Sequence, residues 1–143
     1  MAADAWVLYS AGKLKIHNST IDLDADTLKC ALFTSAYTPS TAHTTYSSIS
    51  ANEVANGLGY TTGGVVVAGT VTEAGGTVKF DVADPQWTAA GGSIVARYAV
   101  LYDSTTGDLL CYSLLDNTPA NVTVTDTNVL TLQINASGVY GAA

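Results

Sequence analysis

The chain has 143 residues, two cysteines and a formal net charge of −7, from five basic and twelve acidic side chains. One domain of this length buries about two-thirds of the surface its unfolded chain exposes, so neither a metal nor a disulfide staple is required to hold it. The acidic balance argues against nucleic acid, which wants a basic face, and against anionic membrane surfaces. Charged residues make up only 12% of the chain, about half the usual ~25%, so much of the surface is expected to be covered by neighbours.

The run Ala5-Trp6-Val7-Leu8-Tyr9 is strongly apolar. Residues 1–12 are either the first core strand or an arm laid on a neighbouring subunit as an added strand. We take the first-core reading. With Tyr140, the one large anchor of a small-residue tail over 136–143, residues Trp6, Leu8 and Tyr9 form the candidate interface set. That tail is either flexible or docked. MAADAWVLYS has neither the basic nor the long apolar segment of a secretory signal, so synthesis and folding in a cytoplasm are expected. No apolar run reaches the length of a membrane span.

Asp22, Asp24 and Asp26 alternate in IDLDADT. A calcium loop of the EF-hand kind would need Gly and Glu where Thr27 and Phe33 stand, so a solvated turn is the expectation. Residues 27–34 read as a strand with Leu28, Cys30 and Leu32 on one face. Cys30 and, further on, Cys111 lie inside apolar runs and are expected as buried free thiols, with a bridge open only if their strands are neighbours. Residues 35–48 form a polar loop around Pro39. One short helix is expected at 50–56, with Ser50 as N-cap and Glu53 closing a capping box.

GLGYTTGG, residues 57–64, raises a phosphate-loop question. A P-loop needs Lys-Ser/Thr after its glycines, and Val65-Val66 stand there instead. The glycines are read as a sharp bend leading into a strand. Short strands are expected at 65–68 and 71–73, then a hairpin turn at Ala74-Gly75-Gly76 and a strand at 77–82. Trp87, after Asp84-Pro85-Gln86, is read as a core plug ahead of a sugar-stacking platform.

Residues 94–102 form the clearest strand. Ile94, Ala96, Tyr98, Val100 and Tyr102 alternate with Val95, Arg97, Ala99 and Leu101, and both faces are largely apolar, which places it centrally. Arg97, the only arginine, is expected to form an inward ion pair with Asp81, Asp84 or Asp103; an interface role is the rival. Strands at 109–115, 121–125 and 129–134 follow, the last with Leu130, Leu132 and Ile134 inward. The total is an all-β single domain over 1–143, about eight strands in a β-sandwich or jelly-roll-like arrangement with at most one short helix.

Catalytic chemistry leaves little trace. His17 and His43 are isolated, no carboxylate pair announces itself, and no Cys/His spacing suggests zinc. The three sequons at Asn18, Asn121 and Asn135 carry no weight without a secretory signal. We expect no enzyme, no cofactor and no metal.

The order of segments is more telling. TLKCALFTSAYTP, YSSISANEV, GLGYTTGG, VKFDVADPQW and ARYAVLYD follow one another over roughly residues 5–135. This succession resembles a family of small virion structural proteins of tailed bacteriophages and prophages. The resemblance implies a non-enzymatic particle component whose relatives are described as capsid decoration, head fibre or minor tail proteins. It implies that Tyr37, Glu53, Gly59, Tyr60, Gly64, Phe80, Trp87, Arg97, Tyr98 and Tyr102 are fold-determining core and turn residues. The expected role is a capsid cement protein of the virion. Its expected partners are copies of itself, as a dimer or trimer, and other virion proteins, the major capsid protein above all; no nucleic acid and no membrane are expected. The alternative is a tail or head-fibre component that binds a receptor or carbohydrate through Tyr37, Tyr46 and Tyr60.

Overall fold

The structure is a computed structural model and describes residues 3–142. Met1, Ala2 and Ala143, at the outer ends of the 1–12 and 136–143 segments, lie outside the described residues. In chain order the elements are β1 (Val7–Leu8), α1 (Ser10–His17), β2 (Leu28–Phe33), α2 (Tyr46–Ile49), a 3-10 turn at Ser50–Asn52, β3 (Val65–Val67), β4 (Gly69–Ala74), β5 (Thr77–Val82) and β6 (Gln86–Thr88). They continue with β7 (Ile94–Ala96), β8 (Tyr98–Asp103), β9 (Leu109–Leu114), β10 (Val122–Val124), β11 (Val129–Thr131) and β12 (Tyr140–Ala142). The fold is all-β. Its strands outnumber the expected eight because several are only two or three residues long.

A central antiparallel sheet runs in the order β1-β9-β8-β2-β3. Its three inner strands are near-continuous runs of apolar and aromatic residues, as a sheet covered on both faces demands. One face sends Leu28, Cys30, Leu32, Ala99, Leu101 and Cys111 into the larger core, against Ile21, Phe80, Trp87, Ile94, Val122 and Leu132. Three small ribbons, β10-β7, β11-β6 and β12-β5-β4, supply that opposing layer. The layering is sandwich-like, with a second layer broken into ribbons. The other face packs Ala31, Phe33, Val100, Tyr102 and Leu109 against Tyr9, Tyr37 and Ile49. Burying a side chain such as Phe80 or Leu101 stabilises the fold by ~1.5–3 kcal/mol each.

The expected strand over residues 94–102 is interrupted at Arg97, which forms a bend. Ile94 and Ala96 point into the larger core before the bend, and Ala99 and Leu101 point into it afterwards. A continuous strand keeps one parity on one face, so the bend reverses which residues are inward. It lets one run of sequence serve both layers, with β7 pairing β10 and β8 pairing β2 and β9.

The helices also differ from expectation. Residues 50–56 contain only the 3-10 turn, and α2 lies just before it. Glu53 is extended (φ −66, ψ 152), so no capping box forms. Helix α1 was not anticipated. It packs on β9 at Gly12, where a Cβ would come within 2.5 Å of the Leu109 carbonyl, and Lys15 pairs with the buried Asp108.

Candidate functional site

The GLGYTTGG loop joins the end of the helical segment to β3. Gly57 and Tyr60 exchange backbone hydrogen bonds of 2.8 and 2.9 Å, closing a tight turn. Gly64 has φ +75, and a Cβ there would lie 1.9 Å from the Cys30 carbonyl oxygen. Only glycine permits that approach, which holds the loop against the sheet. No strand–loop–helix phosphate cradle exists here, because β3 follows the loop.

Glu53 gathers this region. Its Oε1 accepts the Tyr60 hydroxyl at 2.5 Å and the Gly63 amide at 2.7 Å, and its Oε2 accepts the Tyr46 hydroxyl. The Tyr60 oxygen in turn accepts the Leu32 amide at 3.0 Å, and Tyr102 donates to the Gly63 carbonyl at 2.8 Å. Tyr46 and Tyr102 stack at 4.4 Å and 10°. Burial, and then the bond to Glu53, push the hydroxyls of Tyr60 and Tyr46 well above the ordinary tyrosine range. Burial and then the Glu53 charge raise Tyr102 to about 12. All three therefore remain neutral donors at physiological pH. A carboxylate with both oxygens filled by such donors is a structural acceptor and not a free base.

A second aromatic group lies on the same face of the central sheet. Tyr9 and Tyr37 share a 2.7 Å hydrogen bond, and Tyr37 reaches His43 Nδ1 at 3.1 Å. Phe33, Tyr98 and Tyr112 surround them with ring centroids 5.0–5.7 Å from Tyr37 or Tyr9. His17 stands at the exposed end of α1, where its Nδ1 donates to the Lys13 carbonyl at 2.7 Å.

The candidate interface residues divide. Tyr9 is fully buried, so no partner can reach it; its ring and hydroxyl are consumed by the Tyr37 group. Leu8 is half-buried beside the larger core, on an edge strand where Val7 pairs with Tyr112 and Leu8 with Cys111. The apolar N-terminal run thus lies along its own chain. Trp6 is half-buried at the wall of an open groove of about 720 Å³, together with Leu132, Ile134 and Val139. Tyr140 is half-buried on β12, which docks the tail onto β5.

The residues expected at core and turn positions divide between the loop and the two cores. Gly59, Tyr60 and Gly64 shape the loop, Phe80 and Trp87 are buried in the larger core, and Tyr98 and Tyr102 pack on the other face. Arg97 departs from expectation. Its guanidinium Nε donates to Asn121 at 2.8 Å, and it forms no ion pair among the described residues. Each proposed partner is otherwise engaged. Asp81 pairs with Lys79, Asp84 accepts the Ile134 amide, and Asp103 caps the following turn through Thr105 and Thr106.

Asp22 and Asp26 act as turn acceptors, taking the amides of Asp24, Ala25 and Asp22. Cys30 and Cys111 are buried and unbridged, with burial raising both thiols. The 720 Å³ groove is lined by one titratable side chain, Asp4, and a groove of about 310 Å³ beside Phe80 by Asp22 and the Tyr140 phenol. Neither groove is lined by a histidine or by a second carboxylate, so neither holds a carboxylate pair or a His–Asp pair.

No family model, curated protein or solved structure matches the chain.

Proposed function

We propose that this chain is a structural protein of a bacteriophage virion, acting as a capsid decoration or cement protein. In this reading it associates with copies of itself and bridges subunits of the major capsid protein. Apolar burial between subunits stiffens the shell, and the lack of a basic face keeps the protein on the outer surface, away from packaged DNA.

The observation that carries this reading is how the five motif blocks are used. TLKCALF is β2, YSSISANEV leads to Glu53, and VKFDVADPQW spans β5 and β6. ARYAVLYD is β8 with its bend, and GLGYTTGG is the loop bound by Glu53. Their chemistry is consumed by tying strands together, which suits a rigid building block and leaves no reactive group aimed into a cleft.

Burial disfavours the receptor-binding alternative as it stands. Tyr37 and Tyr60 are each 2% exposed, and the hydroxyl and one ring face of Tyr46 are occupied by Glu53 and Tyr102. These tyrosines present no stacking platform.

Cryo-electron microscopy of purified particles, with copy counting, tests the proposal. Occupancy across the whole icosahedral shell, in contact with the major capsid protein, is the expected result. A few copies confined to the tail would replace it with a tail or fibre role, and absence from the particle would end both.

A further inference from the structure

The hairpin of β4 and β5 enters the core at its base, through Phe80 and Val82, and is exposed along its outer part. Every residue from Thr70 to Val78 is exposed, and Val71 and Val78 keep 42% and 39% of their surface. Val71 and Val78 border a shallow groove shared with Ile16 and Ile21 and are not packed into the core. On one side β12 supports β5; on the other, β4 is the outer strand of its sheet.

At six residues, β4 is the longest unpaired strand edge among the described residues; the other edge strands have two or three. Natural edges are usually blunted by lysine, proline or a bulge. The sequence GTVTEA has no lysine or proline, and its register with β5 runs unbroken from Gly69↔Val82 to Ala74↔Thr77. Its one charge, Glu73, folds back to accept the Gly76 amide at 2.8 Å.

The ladder geometry fixes which groups are free. The loop is Gly75-Gly76, both with positive φ (59 and 84). Such a two-residue turn makes Ala74 and Thr77 a hydrogen-bonded pair. By the alternation of an antiparallel ladder, Gly69, Val71 and Glu73 then direct their amides and carbonyls outward. No turn or loop hydrogen bond among the described residues reaches them.

This edge is complementary to itself. A two-fold axis perpendicular to the sheet pairs β4 antiparallel with a second β4 and keeps matching faces together. Registers centred on Val71 or on Thr72 bring outward-directed groups opposite outward-directed groups. Glu73 then faces Gly69 or Val71, so like charges are never opposed. Each register also sets the exposed Val71 near that of the other copy, on the face that carries Phe80 and Tyr140.

We infer that two copies of this chain join edge to edge through β4, making a continuous six-stranded sheet across a two-fold axis. The inference rests on the self-association part of the proposed function and names the surface that carries it.

Sedimentation velocity on the wild type and on Val71→Pro tests it. The Val71 amide points outward, so proline there removes no bond to β5 and is tolerated as on other edge strands. The wild type should dimerise, and Val71→Pro should weaken that by at least about tenfold, with circular dichroism unchanged. Where Val71→Pro fails to fold, single cysteine variants decide. Val71→Cys or Thr72→Cys should form an interchain disulfide under mild oxidation, and Glu73→Cys should not.

A wild type that stays monomeric overturns the inference and the self-association reading together. An oligomer that ignores Val71→Pro and gives no interchain cross-link in either the Val71→Cys or the Thr72→Cys variant overturns this interface alone. A monomer whose attachment to capsid shells is abolished by Val71→Pro would assign the edge to a strand of another virion protein and overturn self-pairing.

Discussion

Replacing Glu53 with alanine removes the acceptor shared by Tyr60, Gly63 and Tyr46. Tyr60 is 2% exposed and Gly63 is buried, so two donors are left where water does not replace the carboxylate. Each such orphan costs ~1–3 kcal/mol. Tyr46 is half-buried and can turn its hydroxyl to solvent, so its bond adds only ~0.5–1.5 kcal/mol. Glu53 itself is half-buried, and its release to solvent offsets part of the loss. The sum is about 3–4 kcal/mol, a large share of the ~5–15 kcal/mol that holds a domain together. Glu53→Gln keeps one acceptor and should cost about half as much. Urea unfolding, followed by the fluorescence of buried Trp87, measures both with the slope m as a check on two-state behaviour. A loss below ~1 kcal/mol for Glu53→Ala at unchanged m would refute the view that this carboxylate ties the loop to the sheet.

Alkaline pH should unfold the protein through its tyrosines. Tyr9, Tyr46 and Tyr60 are raised and Tyr102 reaches about 12, whereas unfolded tyrosines ionise near ~10. The folded state therefore holds these protons longer. Its stability is intact below about pH 10 and falls as pH rises towards the folded values, by up to ~1.4 kcal/mol per unit for each group. Phenolate absorbance should show only the accessible tyrosines ionising until circular dichroism is lost; full ionisation with the fold intact contradicts this. Gly64→Ala should exceed Gly57→Ala in its cost by ~2 kcal/mol or more. Both have positive φ, but a Cβ at Gly57 meets nothing within 4 Å while one at Gly64 strikes the Cys30 carbonyl; equal shifts in Tm would remove the close-approach argument. Cys30 and Cys111 flank Leu101 on opposite neighbouring strands, about 10 Å apart by strand spacing and beyond disulfide reach. Both thiols should resist a thiol reagent in the native state and react fully in denaturant without reductant; a missing thiol titre would refute the register.

Strands whose signal is local were legible in the sequence. Residues 77–82 became β5, residues 27–34 contained β2, and the glycine pair after Ala74 made the hairpin turn, because alternation and turn chemistry sit within a few neighbouring residues. Elements held by distant partners were not. Helix α1, SAGKLKIH, has exposed Leu14 on one side and a glycine in its middle. It is held by the β9 backbone against Gly12 and by Asp108 against Lys15, contacts roughly a hundred residues away in sequence that no local pattern announces. Strand β12, YGA, has no alternation of its own and exists because β5 offers it an edge. The bend at Arg97 was hidden by an unbroken apolar alternation from Ile94 to Tyr102, since both sides of the bend satisfy a strand pattern and only packing in two layers reveals the reversal of faces.

The Glu53 hub shows the same division. Ser50 three residues upstream, a local pattern, predicts a helix-capping role, and the structure gives the carboxylate to Tyr46, Tyr60 and Gly63 instead. Tyr60 and Gly63 belong to the GLGYTTGG block. A charged acceptor within reach of buried hydroxyls and an amide gains more from three such donors than from one exposed helix end. Exposure was hidden more deeply still. The valines of β4 and β5 read as ordinary half-buried strand positions, and nothing in GTVTEA or TVKFDV states that the outer part of the hairpin is exposed. What the sequence does hold is the absence of lysine and proline from that outer strand. Once β4 is known to be an edge, that absence becomes informative, because a six-residue edge with no device against pairing is open to a second strand.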